Sequence, residues 1–244
     1  MRAAHSAPAH LSPRDLAPLR AVAGDGALDY VLVLGSFHFI NRIADLLGVD
    51  PDVPLPQALR RFEVVRRLGV RVASRILARM DLANRPYPIS YDEAVRQAAP
   101  LFERSLGRPM GDALAPFAAR PKLIEVLALA LAERDERSTL DRGTLARVQR
   151  TVEAALPRSL DDSTGFHARP ADPVEAFAFV GTRYPARATA AMVAALRHAG
   201  WGDLGILDLA TAIADANNWA RMYRLLDLAP ELLYVTPRER QASA

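Results

Sequence analysis

The sequence predicts an all-α fold, on three observations. Ala, Leu and Arg dominate, and strand-favouring residues are scarce. Apolar residues recur at steps of three and four in the long hydrophobic segments, the period of one helix face. Prolines, glycines and short polar caps bracket those segments as helix starts and stops. Half of the 244 residues are hydrophobic, enough for a sizeable core in one large domain or two small ones.

Residues 1–11, rich in Ala, Pro and His, are expected to be disordered. Ser12-Pro13 supplies a cap followed by proline in the first turn, and a short helix should run from there to Val22. Gly24-Asp25-Gly26 breaks it. The next stretch, Ala27–Val49, is the one around which the rest is expected to be organised. Leu28, Leu32, Gly35, Phe39, Ile43 and Leu46 form its apolar face, with Val31, Leu34, His38, Arg42 and Asp45 one ridge over. Its continuous apolar run is shorter than a bilayer span and holds Asp29 and His38, which predicts a buried core helix rather than a membrane segment. Asp50-Pro51, Pro54 and Pro56 end it.

Gln57–Met80 reads as an amphipathic helix in which Arg67, Arg71, Arg75 and Arg79 line a ridge beside the apolar face. Arginine stems covering apolar neighbours account for it, and no aromatic or glycine pattern for base contact accompanies the charges. Residues 84–89 form a proline-rich linker, and Ser90 with Glu93 forms a capping box for a helix reaching about Leu101. Residues 107–112 are a break and the expected subdomain boundary. Pro121 then opens a helix that is apolar from Leu123 to Ala132; a helix apolar on all sides should be buried on all sides. Glu125 stands inside that run. It is either a carboxylate that must find a partner or raise its pKa, or a first-turn acid favoured by the helix dipole.

Further helices are expected at 139–156, 173–182, 186–199 and 203–228. The loop at 157–173 holds Asp161, Asp162, His167 and Asp172, whose spacing matches no metal-ligand pattern. No metal and no cofactor is therefore expected. The chain divides into a start at 1–11, an N-terminal helical half at 12–110, a C-terminal unit at 111–236 and a fraying tail at 237–244.

The chain has no cysteine, which excludes disulfides, thiolate metal sites and every cysteine-based peroxidase or hydrolase mechanism. Its net charge is +3, and Lys122 is its only lysine. An Ala/Arg-rich, lysine-poor chain reflects a G+C-rich bacterial genome, so arginine abundance argues little for nucleic acid. Without the apolar core of a signal peptide in its first ten residues, the chain is expected to be cytoplasmic.

An internal repeat is also legible. Leu19-Arg20 and Leu196-Arg197 each precede a glycine turn and a long helix. At one fixed offset Leu28-Asp29 matches Leu207-Asp208, Arg42 matches Arg221, and Leu46-Leu47 matches Leu225-Leu226; His38 and Phe39 fall opposite Asn217 and Asn218. Two helical hairpins in equivalent places predict a pseudo-symmetric bundle. Asp45 is the expected ion-pair partner of Arg42, and Asp215 or Asp227 that of Arg221.

The string Phe37, Phe39, Asn41, Arg42, Asp45, Leu47, Gly48 resembles the end of the C-terminal hairpin of the alkylhydroperoxidase AhpD-like, carboxymuconolactone decarboxylase superfamily. The second copy keeps the frame through Asn218 and Arg221. Residues 121–228 follow the order of one whole unit of that family, and 12–48 follow its last part. The resemblance implies an AhpD-like helical bundle that assembles into dimers, trimers or hexamers. In peroxidase members a Glu precedes a Cys-x-x-Cys pair and a later His. Anchored on Glu125, those places fall on Arg137, Leu140 and Thr144. Thiol–disulfide exchange needs a thiolate, and this chain has none.

Two functions are expected to compete. One is a non-redox binding or assembly protein, its partners a second copy of itself and a small-molecule ligand. The other is a cysteine-independent acid–base enzyme in the manner of the decarboxylase branch. There His38 would be the general base, Arg42 or Arg221 would hold a substrate carboxylate, and Glu125 would be a second acid or base. Asn41, Asn217, Asn218 and Arg221 are the expected binding groups. Association of Arg60–Arg79 with nucleic acid or an anionic membrane ranks third.

Overall fold

Every regular element among the described residues is a helix. The computed structural model describes residues 11–48, 89–107, 110–156 and 169–228. Two compact units divide the chain, residues 1–49 with 89–244, and residues 50–88. The basic helix at 57–80, the proline-rich linker up to residue 88, the acidic loop at 161–167 and the tail at 237–244 fall outside the described residues. So do residues 1–10 of the expected disordered start, whereas Leu11 is buried in the core.

The first unit contains α1 (Ala17–Ala23), α2 (Gly26–Leu47), α3 (Tyr91–Leu106), α4 (Lys122–Arg137), α5 (Arg142–Ala155), α6 (Pro173–Arg183), α7 (Ala190–His198) and α8 (Asp203–Leu226). Short 3-10 turns occupy Pro13–Leu16, Gly111–Phe117 and Pro185–Arg187. Helix starts follow the capping chemistry. Asp15 accepts from the Ser12 amide at 2.8 Å, Asp141 from the Thr144 amide at 2.7 Å, and Asp172 from the Glu175 amide at 2.9 Å. Gly24 (φ 53°) and Gly200 (φ 92°) take left-handed conformations that a side chain would strain, and each lets a short helix fold back into a long one.

One cap and two helix ends differ from expectation. The capping box at Ser90 is half made. Ser90 Oγ accepts from the Glu93 amide at 3.2 Å, but the Glu93 carboxylate turns forward to Gln97 at 2.6 Å and to Arg96. Helix α3 also runs through exposed Pro100 to Leu106, because Ala94, Ala98 and Phe102 form a buried stripe that spans the proline. Helix α5 starts at Arg142 rather than Thr139, because Asp141 caps it while the Thr139 amide and hydroxyl both donate to Asp208.

The packing centre is α8 rather than α2. Helix α8 packs against α2, α5, α6, α7 and the Pro13–Leu16 turn, and buries Ile206, Leu209, Ile213 and Leu225 among others. Its alanines at 210, 214, 216 and 220 are buried and allow close approach of neighbours. Helix α3 packs along α4 across the 107–112 break, so both lie in the same unit.

Two helices expected to be buried are covered on one side only. Helix α4 buries Ile124, Leu127, Ala128 and Leu131, but Val126 and Leu129 remain 51% and 52% exposed. Helix α2 buries Leu28, Val31, Gly35, Arg42 and Leu46, yet Tyr30, Val33, Phe37 and Ile40 are 50–60% exposed. Among the described residues α2 is the helix long and apolar enough to cross a membrane by length and composition. Its buried side nonetheless packs on α8.

The cap of α5 gives a pH-dependent expectation. The Thr144 amide holds the Asp141 carboxyl below its usual range, helped by the Thr144 hydroxyl, the Gly143 amide and Arg147. A carboxyl whose folded pKa is depressed stabilises the fold above its unfolded pKa and loses that contribution as pH falls through the folded one. Asp141→Asn keeps a capping oxygen but removes the titration. Its acid unfolding profile, followed by circular dichroism below about pH 4, should be flatter than that of the native chain.

Candidate functional site

Three of the polar residues singled out on α2 and α8, Arg42, Asn217 and Arg221, meet in the core at the C-terminal end of α6. Helix α6 is buried from Ala176 to Arg183, with Val174 buried and Glu175 part-exposed at its start. Its last carbonyls therefore need donors from within the protein. Arg42 supplies them. Its Nη1 donates to the Gly181 carbonyl and, at 3.2 Å, to the Thr182 carbonyl. A cation is also favoured there by the helix dipole.

The network continues into α8. Thr182 Oγ1 donates to the Ala178 carbonyl at 2.8 Å and accepts from Asn217 Nδ2 at 3.0 Å. Arg221 Nη1 donates to the Asn217 carbonyl at 2.7 Å and to Asn217 Oδ1 at 3.3 Å. Arg42, Asn217 and Arg221 are all buried. Burial first, then the charge of Arg221, lowers Arg42 from its ordinary value to about 9, with Asp45 acting in the opposite direction. Burial and then Arg224 lower Arg221 to about 10. Both remain protonated at neutral pH.

Two glycines make this meeting possible. A Cβ on Gly181 would lie 2.9 Å from both Ile213 Cγ2 and Leu46 Cδ2. One on Gly35 would lie 2.6 Å from Asn218 Oδ1, which places Asn218 at the contact of α2 with α8. Close by in sequence, the buried guanidinium of Arg183 stands 5.2 Å from the Tyr184 ring and 5.8 Å from that of Phe179.

The other candidates lie elsewhere. Asn41 is exposed on α2. Glu125 occupies the first turn of α4 and pairs with Lys122. His38 is half-buried on α2. The expected Arg42–Asp45 ion pair is replaced by the α6 carbonyls, because Asp45 sits on the exposed side of α2 while Arg42 points into the core.

A cavity of about 370 Å³ opens among α2, α4, α5 and α8, lined by Phe39, Leu127, Leu131, Leu145, Ala212 and Trp219 with Glu133, Arg137, Asp208 and Asp215. Neither His38 nor Glu125 lines it. Sequence reasoning missed Asp208, Asp215 and Trp219 as site residues. Their signal was present: positions 208, 212, 215 and 219 share one face of α8. Among the described residues no group of acidic or histidine side chains is arranged to hold a metal ion.

Fold and site together define a cysteine-free, all-helical protein with a buried arginine–carbonyl network and a separate amphipathic cavity. Comparison with family models, curated proteins and solved structures finds no match to this chain.

Proposed function

We propose that this is a non-redox assembly and binding protein, an AhpD-like bundle with an internal hairpin repeat that associates with copies of itself. The carrying observation is the apolar stripe on α2. Tyr30, Val33, Phe37 and Ile40 follow a 3–4–3 spacing and are 50–60% exposed, the pattern of a helix seam awaiting another helix. Between Asp29 and Asp45 the only formal charge on α2 is the buried Arg42, so two copies meeting there would oppose no like charges. Val126 and Leu129 of α4 add a second exposed apolar face.

Four half-exposed side chains of this size present roughly 400 Å² per copy, about half of what a standard interface takes from each partner. A weak, concentration-dependent association through α2 is therefore expected, strengthened if α4 joins it. The repeat reading draws support from matched roles. Asp29 binds Arg120 just before α4 at 2.7 Å and 2.9 Å, and its counterpart Asp208 binds Thr139 just after α4. The counterparts Arg42 and Arg221 both donate to main-chain carbonyls in the core. An acid–base enzyme is less well supported, because Arg42 is committed to α6 and Glu125 to Lys122.

Sedimentation velocity over a concentration series tests the proposal. The native chain should show reversible self-association, and Phe37→Glu should weaken it by at least about tenfold, since it buries an unpaired charge at the seam. A monomer at every concentration, or a Phe37→Glu variant that associates as before, overturns it. So does flotation with lipid vesicles in place of self-association, which would assign the stripe to a lipid surface.

A further inference from the structure

The cavity beside Trp219 is a slot. Thr139, just past the end of α4, bonds Asp208 near the start of α8 at 2.7 Å, so Arg137 and Asp208 mark one shared corner. From that corner the lining runs to Leu127 on α4 and to Trp219 on α8, about 15 Å along each helix. Helix α4 is not among the close neighbours of α8, and the gap between them is this cavity of about 370 Å³. Leu131 and Ala212 lie midway along the two rows, Leu145 of α5 adds to the wall, and Phe39 of α2 adds a second ring.

Every polar side chain in the lining is already engaged by the protein. Arg137 pairs with Glu133 at 2.8 Å, and Asp208 accepts from the amide and the hydroxyl of Thr139. The Thr211 hydroxyl donates to the Leu207 carbonyl at 2.9 Å, and Ser138 Oγ accepts from the Leu140 amide at 3.2 Å. Asp215 has a partner of its own. No ionic group is therefore left over to hold a charged head, and what an occupant gains comes from the apolar walls. A slot about 15 Å long takes an extended chain of about twelve atoms.

We infer that this slot binds a single unbranched hydrocarbon chain with a neutral head, such as a medium-chain alkanol. The chain lies extended between α4 and α8, in contact with Leu131 and Ala212. A compact ligand of equal carbon number would leave part of the slot empty. A fatty carboxylate would bring a charge with no unmatched cation in the lining to meet it.

The chain has two tryptophans, so Trp219 fluorescence in a Trp201→Phe chain reports the slot alone. Affinity should rise about fourfold per added methylene from hexanol to decanol. Adamantanol, with as many carbons as decanol folded into a cage, should bind at least about tenfold more weakly than decanol, and so should decanoate. Ala212→Phe, which blocks the middle of the slot, should bring decanol down to the affinity of hexanol, with thermal melts to confirm that it folds. The probe series does not depend on that variant. An affinity that fails to grow with chain length overturns the inference. So does adamantanol or decanoate binding as tightly as decanol, or an undiminished decanol affinity in folded Ala212→Phe. Phe37 is not in the lining, so Phe37→Glu should weaken self-association and leave the alkanol series unchanged, which keeps the failure of either proposal distinct from that of the other.

Discussion

Arg42→Ala should destabilise the fold by about 3 kcal/mol, through loss of a buried packing volume and of two charge-assisted hydrogen bonds. The Gly181 and Thr182 carbonyls at the end of α6 lose their donor, and the long side chain leaves a cavity between α2 and α6. Arg42→Met should cost less, about 1 kcal/mol, because it fills the space and removes a buried charge next to Arg221. Chemical denaturation of the two variants checks the order. Alkaline pH gives a second readout. Arg42 binds its proton less tightly in the folded chain, at about 9, than an unhindered guanidinium does in the unfolded one. The unfolded chain therefore holds more protons through that window, and the contribution of Arg42 to stability rises with pH. The native chain should accordingly gain on Arg42→Met as pH is raised from about 8 to about 10.5. An Arg42→Ala variant as stable as the native chain would show that α6 does not need this donor, and would return Arg42 to consideration as a ligand-binding group.

Gly181→Ala should cost about 2 kcal/mol, although alanine is the better helix former by close to 1 kcal/mol. The new Cβ meets Ile213 and Leu46 at 2.9 Å. Both are fully buried side chains, so neither can swing into solvent. Leu46→Val in the same chain should recover part of the loss. Gly35→Ala makes the instructive comparison. Its Cβ meets the Asn218 amide oxygen at 2.6 Å, but Asn218 is half-exposed and can rotate away, so a smaller loss is expected. Gly181 also accepts from Arg42. The Gly181→Ala and Arg42→Ala effects should therefore fall short of additivity when combined, which a double-mutant cycle measures.

The helices were legible because their causes are local. Ser12, Ser90 and the 3.6-residue apolar rhythm of α2 and α8 act within a turn or two, and those elements lie close to where the sequence put them. Helix α3 was expected to end at about Leu101 and runs to Leu106, because the buried stripe that carries it on resides in a tertiary contact. Of the candidate site, Arg42, Asn217 and Arg221 were readable as polar residues on apolar helices, and they do come together. Their use was not readable. Asp45 is three residues from Arg42, whereas the carbonyl of Gly181 that takes its place is 139 residues away.

By itself the sequence determined an all-helical chain without thiol chemistry, because composition, caps and periodicity are properties of neighbouring residues. Only the tertiary structure decided which side of each helix is covered. Apolar residues surround α4 and much of α2, so the sequence marks both as fit for burial on every side, yet coverage depends on how many neighbours the fold places there. Helix α8 is covered over most of its length, though Leu204 and Leu207 are exposed, whereas α2 and α4 are covered on one side. The uncovered faces, together with the cavity beside Trp219, are where this protein has surface left for a partner or a ligand.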